Sequence, residues 1–116
     1  MQNSFQFEPD FQERILQYVI QDPHFLTVHK HVLKPGSFTR DCLKCAIRII
    51  LDIHNKYNRI PEYETLHAFA LEWFGQHRIS QELAYETQCL FHRCYTRPLV
   101  DYEMVKDILH RHVMRS

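Results

Sequence analysis

Between Thr39 and Asn58 the polar residues fall on one line at helical spacing: Asp41, Lys44, Arg48, Asp52 and Asn55. The positions around that line are apolar, namely Cys42, Leu43, Cys45, Ala46, Ile47, Ile49, Ile50, Leu51, Ile53 and Tyr57. A helix with one narrow wet line is covered by neighbours on several sides. The pattern therefore predicts the central helix of a small all-helical domain.

The same periodicity predicts five further helices. Pro9 suits a first helical turn, and Phe11, Ile15, Tyr18 and Val19 follow as one stripe that ends near Gln21. Asp22-Pro23 stops that helix and starts the next, with Asp22 as a cap. The second helix places Phe25, Val28, His29 and Val32 on one face, Leu26 and Leu33 beside it, and closes at Pro35-Gly36. Thr39 is the expected N-cap of the central helix, with Phe38 stapled onto Leu43. A fourth helix starts near Pro61, carries Leu66, Phe69, Ala70, Trp73 and Phe74, and terminates at Gly75. Ser80 caps a fifth, with Leu83, Ala84, Thr87, Leu90, Phe91, Cys94 and Tyr95 as a broad stripe. Arg97-Pro98 breaks it. A sixth helix opens at Val100 or Asp101 and presents Tyr102, Val105, Ile108, Leu109, His112 and Val113.

The expected fold is thus all-α: a single domain over residues 1–116, a compact bundle of about six helices around a long central one. Its last two helices form a hairpin across Thr96 to Val100. Residues 1–6 read as a loose lead-in. The final HRHVMRS is still helical and basic, with no Gly or Pro stop; a natural chain can end this way, and so can a domain cut from a longer protein.

Composition narrows the function classes. Apolar residues make up 45% and aromatics 13%, enough for a real core, while two Gly argue against a many-stranded sheet protein. Basic and acidic residues balance at 14 each, which gives no electrostatic case for nucleic-acid binding by the whole domain and leaves little repulsion against self-association. The start of the chain has no basic stretch followed by an apolar run, and no run approaches the roughly 20 apolar residues of a membrane span. Four Cys with an adequate core and no such leader point to reduced thiols in a cytoplasm.

No catalytic signature stands out. Cys42-x-x-Cys45 has no preceding strand, and its further zinc partners, Cys89 with His92 or Cys94, sit at awkward offsets on another helix. The pair reads as small buried apolar residues. His29-Lys30-His31 and His110-Arg111-His112 are i, i+2 pairs that share no helix face. Glu62 with Glu64 and Glu82 with Glu86 lie at or near helix starts, where negative charge complements the helix dipole. Gly-rich phosphate loops and nucleophile elbows are lacking. Lys106, Arg111 and Arg115 suit the C-terminal half of a helix. The apolar stripes of the last two helices either face the bundle core or suit packing against a second copy.

The order of residues from Phe11 to Leu66 resembles the N-terminal domain of DnaB-type replicative DNA helicases of bacteria and their phages. The matching features are Ile15-Leu16 through Asp22-Pro23, then Val28, Leu33, Pro35 and Phe38, then Ile49-Ile50 to the exit Tyr57-Asn58-Arg59-Ile60-Pro61, and Thr65-Leu66. Leu90 through Met114 is similar in kind to that family's helical hairpin. The match lies in positional apolar patterns rather than chemical signatures.

The resemblance implies a non-catalytic collar domain of a hexameric helicase, dimerising through its hairpin and offering a surface to primase or a helicase loader. No cofactor is then expected in this chain, since ATP and Mg would belong to a motor domain beyond Ser116. The interface would use Leu90, Phe91, Tyr95, Leu99, Tyr102, Val105 and Leu109. Direct DNA contact through this domain is not expected. Two alternatives stay open: a free-standing helicase loader or inhibitor, and a metal- or redox-responsive regulator using Cys42, Cys45, Cys89 and Cys94.

Overall fold

The computed structural model describes residues 9–115, and among them every regular element is helical. The expected lead-in at residues 1–6 lies outside the described residues. In order, the elements are α1 (Pro9–Gln21), α2 (Phe25–His29), 3-10 turns at Lys30–Val32 and Pro35–Ser37, α3 (Asp41–Tyr57), α4 (Tyr63–Gly75), α5 (Gln81–Thr96) and α6 (Tyr102–Arg115). The all-α bundle read from periodicity is the fold found.

The long helix α3 keeps its narrow wet line. Asp41, Arg48 and Asn55 are exposed, Lys44 and Asp52 are half-buried, and the apolar positions from Cys42 to Ile53 turn inward, with Leu51 half-covered. It is not the sole axis, however. Helix α5 packs against α1, α3 and α4 together, so the core is built around the pair. Its Leu90, Phe91 and Cys94 meet Ile47, Ile50, Leu66 and Ala70 in one continuous cluster.

Polar side chains of α1 tie that helix to distant segments. Gln12, fully buried, accepts from the Thr39 backbone N–H at 2.9 Å and donates Nε2–H to the Thr39 hydroxyl at 3.1 Å. Glu13 accepts two hydrogen bonds from Arg93. Gln21 Nε2 donates to the carbonyls of Cys94 and Arg97, at 2.5 and 2.7 Å. The Tyr18 hydroxyl donates to the carbonyl of Val100. A buried polar group that keeps its partners costs little, whereas an orphaned one costs about 1–3 kcal/mol.

Several boundaries differ from expectation for identifiable reasons. Thr39 does not cap α3, because its hydroxyl and N–H are taken by Gln12. The helix starts two residues later, behind Arg40, which makes no side-chain cap. Helix α2 stops at His29 and tightens into a 3-10 turn. Its buried face centres on Phe25 and Leu26, with Phe25 stacked on Tyr18 at 5.4 Å, so Val28 turns outward and is 59% exposed.

Helix α4 begins at Tyr63 rather than Pro61, whose carbonyl accepts from the Tyr95 hydroxyl. Its C-terminal stop is not the left-handed glycine that Gly75 suggested. His77 takes the left-handed conformation (φ 62°), with His77 N–H bonded to Phe74 and Arg78 N–H to Trp73. That is the paired closure of a Schellman motif, with His at the position glycine usually fills. Ser80 caps α5 as expected, accepting from Leu83 N–H at 3.0 Å.

Candidate interaction surfaces

The hairpin residues expected to meet a second copy point into the bundle. Leu90, Phe91, Val105 and Leu109 are fully or almost fully buried in the common core. Tyr95 and Leu99 are half-buried against that core, and the Tyr102 side chain lies outside the described residues. Intrachain packing uses the apolar stripe of α5 and, on α6, Val105 and Leu109. Four of the seven residues, Leu90, Phe91, Val105 and Leu109, thus take the core-facing alternative.

Three of the four cysteines lie in the core. Cys42, Cys45 and Cys94 are buried free thiols and Cys89 is half-buried. Burial pushes the thiols of Cys42, Cys45 and Cys94 up, away from the thiolate that redox or metal chemistry needs. Among the described residues no three His, Cys, Asp or Glu side chains converge as metal ligands. Glu62, Glu64, Glu82 and Glu86 are all exposed around the starts of α4 and α5, which fits solvated charge at helix N-termini.

Helix α4 supplies what the sequence reading missed. Its apolar residues run almost all round the helix, yet only Leu66, Ala70 and Trp73 are buried by neighbours. Leu71 remains 51% exposed and Phe74 38%. The excess was legible in α4, because Leu66, Ala68, Phe69, Ala70, Leu71, Trp73 and Phe74 are more apolar residues than one buried face holds.

Helices α4 and α5 run antiparallel. Tyr63 meets His92 with ring centroids 5.7 Å apart, and Gln88 Nε2 donates to the His67 carbonyl at 3.3 Å. Continued by one turn, this register sets Leu71 level with Ala84, beside Tyr85, which is 67% exposed. Between the helices lies an open groove of about 380 Å³ lined by Tyr63, His67, Tyr85, Gln88, Cys89, His92 and Arg93. The outer side of this hairpin is therefore an aromatic and apolar surface continuous with a groove. Tyr63 also packs edge-on against Tyr95 at 5.7 Å, which fixes the groove floor to the core.

A second depression, of about 350 Å³, lies between the N-terminal half of α3 and the α4–α5 connection. It is rimmed by Lys44, Arg48 and Arg78. Comparison with models of known protein families, with curated proteins and with solved structures returned no match to this chain. No helix among the described residues is long and apolar enough to cross a membrane.

Proposed function

We propose that this chain is a non-catalytic docking domain that associates with copies of itself and with partner proteins. The exposed apolar surface of the α4–α5 hairpin carries this reading: Leu71, Phe74 and Tyr85 stand outside the buried core. Large apolar side chains grouped on a surface lower their free energy by meeting another protein. The specific setting proposed is the collar of a replicative helicase, on the strength of the residue pattern from Phe11 to Leu66. In that setting primase or a helicase loader is the partner.

Sedimentation velocity across a concentration series tests the docking reading. The wild-type chain should shift toward dimer or a larger species as concentration rises. Leu71→Glu combined with Tyr85→Glu should hold it monomeric with unchanged thermal unfolding, because neither position is in the core. A wild-type chain that stays monomeric throughout would remove self-association. The helicase setting is tested separately by the encoding reading frame. A frame of several hundred residues with a G-x-x-x-x-G-K segment supports it, and a short frame points instead to a free-standing loader or inhibitor.

A further inference from the structure

The depression beside α3 is a cationic pocket with apolar walls. Lys44 and Arg48, one turn apart on α3, stand on one side. Arg78 stands on the other, its guanidinium carbon 3.7 Å from the centre of the Trp73 ring. That stacking holds the guanidinium flat and leaves its N–H edges free to donate. None of the three cations has a carboxylate within ion-pair distance among the described residues, whereas Arg14, Arg40, Arg93, Arg97 and Arg111 all do.

Helix α3 begins at the pocket without a side-chain cap, and α5 begins beside it, with Ile79 and Leu83 forming an apolar wall. Among the described residues, Asp41 is the only acidic side chain on the lining.

The geometry points to a docking site for an acidic peptide segment of a partner protein, whose carboxylates meet Lys44, Arg48 and Arg78 while an aliphatic side chain lies on Ile79 and Leu83. A nucleic acid fits less well. The exposed face of Trp73 is already covered by Arg78, so no ring is open for a base to stack on. Asp41 interrupts the charge, and three cations do not make a track along a phosphate backbone. This site shares no residue with the self-association surface and stands whether or not that surface dimerises.

Trp73 is the only tryptophan in the chain, so its emission reports on the pocket directly. The test titrates the folded chain with a blocked pentapeptide of four glutamates around one leucine, followed by fluorescence and by calorimetry. Parallel arms use inorganic phosphate and a single-stranded oligodeoxynucleotide of equal charge. The expected result is saturable, salt-sensitive binding of the peptide with a Kd below about 1 mM and a change in Trp73 emission, with both other arms weaker. Arg78→Gln should weaken it about tenfold, and Lys44→Gln with Arg48→Gln at least as much, with unfolding midpoints unchanged. Should Arg78→Gln unfold the chain, the α3 double variant decides alone. Absent binding, equal binding by that double variant, or tighter binding of the oligonucleotide would overturn the proposal.

Discussion

Glu13 on α1 accepts both the Nε–H and an Nη–H of Arg93 on α5, at 3.0 and 3.1 Å, from 80 residues away in the chain. Arg97 adds a third contact to the same carboxylate at 3.1 Å, and Arg40 stands at 3.6 Å. A bidentate guanidinium–carboxylate pair fixes orientation as well as distance. The Glu13 side chain is only 16% exposed, so this pair lies on the edge of the core rather than in open solvent.

Removing that charge should destabilise the bundle and change its acid response. Arg93 bonded to the Glu13 carboxylate holds its pKa below the ordinary value, against the opposing effect of burial. A depressed folded pKa contributes stability above the unfolded value, about pH 4.3, and that stability is lost as pH falls through the folded value. Glu13→Gln is expected to cost about 1–2 kcal/mol at neutral pH. It should also flatten the loss of stability below about pH 4. Urea unfolding at neutral pH and again in mild acid, at about pH 3.5, measures both.

A second, earlier acid step should come from His54. Burial, then the neighbouring Lys30 ammonium, lowers its pKa, and Lys30 Nζ lies 3.1 Å from His54 Nδ1. Lys30 can only donate, so Nδ1 accepts and the ring is neutral. The neutral ring's contribution is whole above about pH 6.5 and is lost as pH falls through the lower folded value. In His54→Gln the decline of the urea midpoint just below about pH 6.5 should vanish while the Glu13 step remains.

Thiol labelling separates the cysteines by burial. In the folded chain at mildly alkaline pH a thiol-reactive dye should modify Cys89 promptly. Cys42, Cys45 and Cys94 should react only after unfolding, since burial disfavours their thiolates. Counting thiols before and after guanidinium addition reads this directly. Prompt modification of Cys42 or Cys45 would contradict their place in the core.

Leu109→Asp should unfold the chain rather than dissociate a dimer. Leu109 is fully buried, and a carboxylate there has no partner. The cost expected is about 3–5 kcal/mol. A chain that stays folded and merely changes its sedimentation would place Leu109 at a surface instead.

Much of the fold was legible because each helix carries its own punctuation. Ser80 and Arg97-Pro98 mark ends that are local properties of the backbone, and the structure keeps them. Thr39 is different. Whether its hydroxyl caps α3 or meets Gln12 depends on a residue 27 positions earlier, which no local pattern encodes. The hairpin stripe shows the same limit, since apolar periodicity says that a face is buried but not against what. The surplus of apolar residues on α4 was visible, but only the packing shows which of them stay uncovered. The cationic pocket was half-visible: Lys44 and Arg48 lay on the predicted wet line, while Arg78 arrives through the left-handed turn at His77.

The polar ties of α1 also set a timetable for synthesis. Gln21, Tyr18 and Glu13 bond to groups 73 to 84 residues further along. At about 5–20 residues per second, α5 leaves the ribosome roughly 4–16 s after α1. Through that interval α1 can meet α2 and α3 but lacks α5, the third helix it packs against. Helix α1 is therefore held early by its neighbours α2 and α3, but these polar ties close only when α5 and the segment after it have emerged.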